Sequence, residues 1–313
     1  MVTSGFDLFG AYRGLIMTGR GFEQSDTDTF WIGMHCYTTN NIIIRNNDKL
    51  DIYDKKTNIF KKSVAYDSGI VYGVKDRVII IKNNDKTEER VYIYNEDLDL
   101  IKVIGFNDTW IGVYGYGFDD TYIYIASGIH GKEGCITKFD LNGNLIAETE
   151  KWYTAAYYGA IIAVDKNYIY SVEHIYIVKR DKNTLKKIYS ILRPANTVYQ
   201  IFALGDFLYV NTKSTDNYAP CSCYKLNKSD GSVVSNYKNP IIGTSKDYIY
   251  SFEYINNIKC FVAMDLNFNI VSSIPLGFST NSYYPFDMNA DYPTFLVYTG
   301  DRTIEVSHLG ADI

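Results

Sequence analysis

Short runs of β-branched and aromatic residues alternate with polar turn residues along the whole chain. Seven of these runs open at a turn-forming residue and are four to six residues long: residues 40–44, 76–81, 120–124, 166–170, 205–209, 247–250 and 293–298. Runs of this length and composition predict β-strands. No long stretch has the 3.6-residue period of an amphipathic helix, so we predict a low helix content.

A second pattern with a similar spacing lies downstream of these strands. Six turns rich in Asp and Asn occupy residues 53–58, 94–97, 139–144, 180–184, 226–231 and 264–267. The leading Asp or Asn recurs every 38 to 46 residues. Asp, Asn and Gly tolerate the left-handed backbone of a tight hairpin, so each turn is expected to join the last two strands of a four-stranded unit. In the fourth unit, for example, the predicted strands are 155–162, 168–172, 175–180 and 186–192.

A repeat of about 40 residues with four short strands predicts an all-β fold, a seven-bladed β-propeller of four-stranded antiparallel blades. We expect residues 1–313 to form a single domain. The last unit runs only to a strand over 303–307, which leaves its outer strand missing. The N-terminal segment 1–28 contains an apolar run at 14–17, and we expect it to supply that strand and close the last blade.

Composition narrows the possible partners. The net charge is −5 and the basic residues are scattered, so we expect no nucleic-acid partner. The chain has no long apolar run and no signal-peptide pattern at its start, so we expect no membrane insertion and synthesis in the cytoplasm without export. Its richness in Ile, Lys, Asn and Tyr is typical of an AT-rich genome, such as that of a low-GC bacterium or its phage. Release as part of a phage-like particle is compatible with that origin.

Residues with metal-binding or redox chemistry are sparse. The five cysteines are an odd number, which favours reduced thiols over a disulfide framework. The two thiols of Cys221 and Cys223 lack a second Cys or His pair nearby, and the four histidines lie in different units. The turns at Asp140 and Asp265 resemble the opening of a calcium loop but lack its Gly and its closing Glu. We therefore predict no metal site and interpret both turns as hairpins.

The turns at residues 53–59, 180–185 and 226–233 resemble the Asp-x-x-Thr-Gly turn of quinoprotein-type propeller repeats. The resemblance extends over most of the chain at the level of the β-propeller superfamily, which also includes WD40-like repeats, and it implies the propeller fold. The Trp that follows this turn in quinoproteins is missing from every copy, as are a vicinal cysteine pair and Trp-Asp endings. The expected cofactor is therefore none.

One candidate site consists of the residues at the ends of the second strands. Aligning the units on that strand brings seven polar positions together: Asn47, Asn84, Ser127, Glu173, Thr212, Glu253 and Asp301. A ring at the axial mouth could bind a cation or an amine. Glu173, Glu253 and Asp301 could also raise one another's pKa and perform the acid–base chemistry of glycoside hydrolysis. The alternative is that these positions are solvated strand ends.

The other candidate site is aromatic. Large rings lie near the predicted junctions between units: Trp31, Trp110, Trp152, Tyr153, Phe278, Tyr283 and Tyr284. Exposed rings could stack on sugar faces, so we take Trp31, Trp110, Trp152, Tyr153, Tyr283 and Tyr284 as candidate ligand-binding residues. The alternative is that they pack between adjacent blades, which is the usual place of large rings.

These patterns favour a nonenzymatic interaction module. We expect it to bind protein assembly partners or a surface glycan, as a component of a phage or phage-tail-like particle, and to be a homo-oligomer or a particle subunit. One alternative is a carbohydrate-active enzyme, a glycoside hydrolase or lyase, with its site at the axial mouth. Another alternative is a cytoplasmic scaffold for other proteins.

Overall fold

A computed structural model describes most of the chain. The described residues are 12–16, 35–46, 48–57, 59–84, 88–105, 111–129, 133–153, 162–195, 198–213, 220–245, 247–275, 294–298 and 303–308. Every regular element among them is a β-strand, which confirms the all-β prediction. In this part of the chain no helix is long and apolar enough to cross a membrane.

The strands form antiparallel sheets, which we number along the chain. Sheet one contains β2 (His35–Tyr37), β3 (Asn41–Asn46), β4 (Lys49–Asp54) and β5 (Phe60–Ala65). Sheet two contains β6 (Ile70–Val74), β7 (Arg77–Asn84), β8 (Glu88–Asn95) and β9 (Leu100–Gly105). Sheet three contains β10 (Ile111–Phe118), β11 (Tyr122–Ile129), β12 (Glu133–Asp140), β13 (Leu145–Glu148) and β14 (Trp152–Tyr153).

The remaining sheets follow the same strand order. Sheet four contains β15 (Ile162–Val164), β16 (Tyr168–Glu173), β17 (Tyr176–Asp181) and β18 (Lys187–Leu192). Sheet five contains β19 (Val198–Leu204), β20 (Phe207–Lys213), β21 (Pro220–Asn227) and β22 (Val233–Tyr237). Sheet six contains β23 (Ile241–Thr244), β24 (Ile249–Ile255), β25 (Ile258–Met264) and β26 (Ile270–Pro275). Sheet seven contains β27 (Thr294–Tyr298), β28 (Thr303–His308) and β1 (Tyr12–Ile16).

The prediction of seven four-stranded blades is confirmed in part. In the described residues six sheets have four or five strands, and sheet seven has three. The N-terminal strand lies where the sequence predicted it, because β1 pairs with β28 in antiparallel register from Tyr12 opposite His308 to Ile16 opposite Ile304. The first strand of the fourth unit, predicted to end at Ile162, continues to Val164, which pairs with Ile169.

Contacts between Cα positions group the chain into two compact units. The first unit contains residues 1–78 and 241–313, and the second contains residues 79–240. The division falls within β7. All the contacts between sheets described below belong to the second unit.

In sheets three to six the inner strands are largely buried and the last long strand is largely exposed. In sheet four, most residues of β16 and β17 are buried, whereas most of those in β18 are exposed. One face of sheet four packs on sheet three through a cluster that includes Tyr124, Ile136 and Ile169. Its other face packs on sheet five through Tyr170 and Leu208. Because each such side chain contributes about 1.5–3 kcal/mol when fully buried, these faces hold adjacent sheets together.

All six predicted turns are hairpins with the same hydrogen bond. In each, an Asp or Asn side chain accepts a backbone N–H two residues later, at 2.8–3.1 Å: Asp54, Asn95, Asp140, Asp181, Asn227 and Asp265. Such a side-chain bond replaces a backbone turn bond and explains why Asp and Asn recur. The interpretation of Asp140 and Asp265 as hairpin residues is therefore confirmed.

The last two strands of sheets one to six also share a register shift just before that turn. In sheet four, for instance, the shift lies between Lys179 and Arg180. It recurs in the corresponding pairs of the other five sheets. A bulge of this kind increases the local twist of the outer strand, which makes an exposed edge a poorer template for pairing with another chain.

Candidate functional site

Glu173, a candidate catalytic carboxylate, is the last residue of β16 and is only 7% exposed. Both of its oxygens are bound by Arg180 of β17: Nε donates to Oε1 at 3.0 Å, and Nη2 donates to Oε2 at 2.9 Å. The Ser171 hydroxyl donates a further hydrogen bond to Oε1 at 2.6 Å. Glu173 is thus one half of a buried, bidentate ion pair.

Arg180 extends this pair to the neighbouring sheet. Its Nη1 donates to the Glu150 carboxylate at 2.9 Å and to the carbonyl of Leu185 at 3.1 Å. Its guanidinium also lies 5.7 Å from the ring centroid of Trp152 in β14. Burial acts to lower the pKa of Arg180, but its hydrogen bonds to Glu173 and Glu150 outweigh burial and raise it. These contacts describe a structural link between sheets three and four.

The other aligned polar positions do not form a solvated rim. Ser127, Thr212 and Glu253 are buried at 7%, 1% and 5% exposure, so the interpretation of these positions and Glu173 as solvated strand ends is wrong. At Glu173 the neighbouring sheet three contributes Glu150 and Trp152 around the partner Arg180, which the alternation of residues along one strand does not reveal. Asn47 and Asp301 lie outside the described residues, as does the side chain of Asn84.

Among the candidate aromatic residues, Trp152 has a described environment. It packs against the cluster between sheets three and four and faces Arg180, which agrees with packing between blades. The backbone of Tyr153 pairs with Glu133 in β12. Trp31, Trp110, Phe278, Tyr283 and Tyr284 lie outside the described residues.

The cysteines offer no activated nucleophile in the described part of the chain. None of the thiols of Cys36, Cys135, Cys223 and Cys260 is in a disulfide. Burial raises the pKa of Cys135 and of Cys260, which favours the inert thiol over the nucleophilic thiolate. The described residues also contain no group of three His, Cys, Asp or Glu side chains positioned to hold a metal ion.

A charged cluster that the sequence analysis did not identify joins sheets three and four. Asp119, in the turn before β11, accepts a hydrogen bond from the Tyr124 hydroxyl at 3.1 Å. It also forms an ion pair with the Lys182 ammonium at 3.1 Å. Lys182 lies in the last turn of sheet four. From β12 of sheet three, the ammonium of Lys138 donates to the carbonyl of Lys182 at 3.0 Å and lies 3.8 Å from the ring centroid of Tyr122. Sheet three therefore binds the last turn of sheet four through both the side chain and the backbone carbonyl of Lys182.

The same arrangement recurs between sheets four and five with nearly the same distances. Asp165 accepts from the Tyr170 hydroxyl at 3.2 Å and from the Lys228 ammonium at 2.9 Å. Lys179 donates to the carbonyl of Lys228 at 2.9 Å and lies 3.9 Å from the ring centroid of Tyr168. We call these five residues the second lock, and the equivalent set Asp119, Tyr122, Tyr124, Lys138 and Lys182 the first lock. Their repetition indicates that both locks couple adjacent sheets.

A cleft of about 710 Å³ opens beside the second lock. It is lined by residues 165–168, 203–207 and 227–229 together with Tyr170 and Lys179. Gly205, in the turn before β20, occupies the place that Lys166 has in the turn before β16. Because Gly205 has no side chain, the turn before β20 contributes only backbone to the cleft at this position.

Burial and charge shift the pKa values of the second lock in different directions. Burial acts to raise the pKa of Asp165, but hydrogen bonds from Lys228 and from the amides of Asn167 and Tyr168 outweigh burial and lower it. Burial lowers the pKa of Lys179. Burial and the charge of Asp165 raise the pKa of Tyr170. At neutral pH the cleft therefore has a charged, hydrogen-bonded floor with an aromatic face.

The signal for both locks is present in the sequence. The string Asp-x-x-Tyr-Ile-Tyr occurs at residues 119–124 and again at 165–170, 46 positions later. Ser takes the place of Asp in the related string at 245–250, where the Ser245 hydroxyl lies 3.2 Å from that of Tyr250. A comparison of turns across units would have identified the Asp, although its Lys partner is supplied by the next sheet.

Comparison with known proteins shows the fold and little else. No protein-family model and no curated protein sequence matches the chain. Among solved structures, BamB from Moraxella catarrhalis is similar, with a TM-score of 0.57 and 13% identity over 89% of this chain and 85% of that chain. A chain of a mitotic checkpoint complex is also similar, with a TM-score of 0.64 and 12% identity over 99% of this chain and 93% of that one. The repeated antiparallel sheets and these similarities together show a β-propeller.

Proposed function

We propose that this chain is a nonenzymatic β-propeller that binds another protein. The observation that carries the proposal is the cleft of about 710 Å³ between sheets four and five, which is open, polar and aromatic. Its volume is in the range of about 300–1,000 Å³ that is usual for ligand sites. The residues that line it include no His and no Cys. They include two carboxylates, of which Asp165 is already bound by Lys228 and by the Tyr170 hydroxyl. Such a surface can recognise a partner but has no group placed to activate a nucleophile.

Two further observations support binding over catalysis. Both carboxylate oxygens of Glu173 are bound by Arg180, so the carboxylate is already occupied by a structural partner. The similar chain of the mitotic checkpoint complex is, by the name of that structure, part of a protein assembly. We infer in addition that β1, by pairing with β28, closes a ring of blades in the free protein.

The identity of the partner is a finer proposal. The AT-rich bias of the sequence supports an origin in a low-GC bacterium or its phage, and with it a subunit of a phage-like particle made in the cytoplasm. A surface glycan is less well supported, because Trp152, the candidate sugar-stacking ring with a described environment, packs against Arg180. We therefore place a protein partner first.

The proposal is tested by capture followed by reconstitution. The immobilised protein is incubated with native host extract, retained proteins are identified by mass spectrometry, and each candidate is purified and titrated against the free protein. We expect a saturable one-to-one or particle-like complex with at least one purified candidate. In parallel, a panel of envelope polysaccharides is incubated with the protein and analysed for released fragments. Release of fragments that disappears in a Glu253→Gln variant would establish the carbohydrate-active enzyme instead.

A further inference from the structure

The cleft between sheets four and five has spare hydrogen-bond donors but few spare acceptors on its floor. Oδ1 of Asp165 accepts the amides of Asn167 and Tyr168 at 2.9 and 2.7 Å. Oδ2 of Asp165 accepts Lys228 and the Tyr170 hydroxyl. The carboxylate of Asp165 is therefore fully engaged and has little capacity left for a ligand.

Lys179, unlike the Asp165 carboxylate, retains hydrogen-bonding capacity. Its side chain lines the cleft although the residue is only 8% exposed. An ammonium has three N–H donors, and one of those on Lys179 binds the carbonyl of Lys228 while the group lies over the Tyr168 ring. In the described part of the chain no carboxylate lies within ion-pair distance of Lys179. Its positive charge is stabilised by the Lys228 carbonyl, by the rings of Tyr168, Tyr189 and Tyr170 at 3.9, 5.5 and 5.9 Å, and by the more distant charge of Asp165.

The rim adds charges that ligands can reach. Lys166 and Asp206 are both exposed and stand in the turns that precede β16 and β20, one on each side of the cleft. Lys228 is paired with Asp165 but retains donors beyond that bond. With Lys166, Lys179 and Lys228 set against Asp165 and Asp206, the cleft carries a positive surplus on a chain whose net charge is −5.

We propose that this cleft binds an acidic segment of a partner protein, with a Glu or Asp carboxylate directed to Lys179 and Lys228 and flanked by Lys166 at the rim. The inference rests on the proposed function, since it names the chemistry that the protein-binding site recognises. An acidic ligand supplies the acceptors that the floor lacks. Asp206 opposes acidic groups on its own side of the cleft and so favours one orientation of the segment.

The backbone conformation at Gly205 permits a substitution that places a side chain in the cleft. Gly205 has a left-handed φ of 52°, and Lys75, in the corresponding turn of sheet two, has a φ of 56°. A long side chain is therefore compatible with this turn in the same protein. Gly205→Gln should fold, and it places a neutral side chain at this position of the cleft.

The test is a titration of the full-length protein with fluorescein-labelled hexaglutamate, acetylated and amidated at its ends, followed by fluorescence anisotropy. Hexaglutamine, glutarate and inorganic phosphate serve as competitors. The variants are Lys166→Glu, Asp206→Asn and Gly205→Gln. The matched control is Lys186→Glu, which makes the same charge change at an exposed lysine of the turn before β18, outside the cleft.

We expect Lys166→Glu to weaken hexaglutamate binding about tenfold and Asp206→Asn to strengthen it about threefold, in line with loss or gain of a charge contact. Gly205→Gln should abolish binding, and Lys186→Glu should leave it unchanged. Equal weakening by Lys166→Glu and Lys186→Glu would show diffuse charge attraction and overturn the site. Competition by glutarate or phosphate at the concentrations that suit hexaglutamate would overturn the peptide in favour of a small anion.

Absence of binding by hexaglutamate also overturns this inference, but it leaves the proposed function standing. That function is judged separately, by whether a purified partner forms a complex. If a partner does so and Gly205→Gln does not affect the complex, the protein is an interaction module that uses another surface.

Discussion

Removal of the Arg180 guanidinium tests whether Glu173 is a structural residue or a catalytic one. In Arg180→Met the unbranched stem is retained, while Glu173 remains 7% exposed with only the Ser171 hydroxyl as a hydrogen-bond partner. Breaking a buried ion pair by removing one partner costs about 3–5 kcal/mol. Because a domain of ordinary stability has about 5–15 kcal/mol in total, the variant should be only marginally folded.

The double variant Arg180→Met/Glu173→Leu separates the cost of an unpaired charge from the cost of lost packing. With both ionised groups replaced by apolar ones, no buried carboxylate is left without a partner, and such replacements are often neutral or stabilising. We therefore expect the double variant to recover most of the loss, so that it is more stable than Arg180→Met by about 2 kcal/mol or more. Glu173→Leu alone should lie between these, because Arg180 keeps its bonds to Glu150 and the Leu185 carbonyl.

The assay is urea denaturation of the wild type, both single variants and the double variant, followed by far-ultraviolet circular dichroism. Lys186→Met, at an exposed lysine, is the control and should change the free energy of unfolding by no more than about 0.5 kcal/mol. A cost below about 1 kcal/mol for Arg180→Met, or a double variant no more stable than that single variant, would refute the structural role. Glu173 would then return as a candidate acid–base residue.

Four other outcomes follow from the described geometry. Gly231→Ala should cost about 1–3 kcal/mol, because φ there is +77° and the new Cβ would lie 2.5 Å from Cδ1 of Ile191; adding Ile191→Ala should reduce the extra cost, as measured by urea denaturation. Since burial raises the pKa of Tyr170 above the unfolded value near 10, its contribution to stability is complete below pH 10 and is lost as the pH rises further; Tyr170→Phe should flatten the fall of the urea midpoint between pH 9 and 11. Since the pKa of Asp165 is lowered, its contribution is lost as the pH falls below about 4, and Asp165→Asn should flatten the acid limb of the same curve. Deletion of residues 1–22 should lower the melting temperature sharply by exposing the edge of β28, whereas a deletion that leaves it unchanged would show that β1 is dispensable.

The elements best predicted from sequence are those whose cause is local. The side chain of Asp181, for example, bonds the amides of Asn183 and Thr184, so the turn is encoded within four consecutive residues. The strands on either side are short and bounded by such turns, which explains why β16, β17 and β18 lie close to their predicted positions. The pairing of β1 with β28 was predictable for a different reason: the last unit lacked a strand and the N-terminus had one to spare.

Burial at the ends of strands was not predictable in this way. In the register of β16 and β17, Arg180 faces Ile169, not Glu173. The ion pair forms because the long Arg side chain extends along the strand to a carboxylate on the same face, and because sheet three covers both. A polar residue at a strand end has the same pattern whether water or another sheet covers it, so the sequence could not distinguish a buried Glu173 from a catalytic or a solvated one.

The two locks indicate how a binding site can arise in a repeat fold without an additional structural element. The first and second locks hold their sheets through the same residue types at nearly the same distances, so neither is specialised by its own contacts. What differs is the next turn along the chain, where sheet four has Lys166 and sheet five has Gly205. The ammonium-bearing lysine is 2% exposed in the first lock (Lys138) and 8% exposed in the second (Lys179), which agrees with the missing side chain at Gly205. The lysine that couples two sheets then also becomes the group that attracts a ligand, and this dual use predicts that Lys179 variants lose stability and binding together, whereas Lys166 variants lose binding alone.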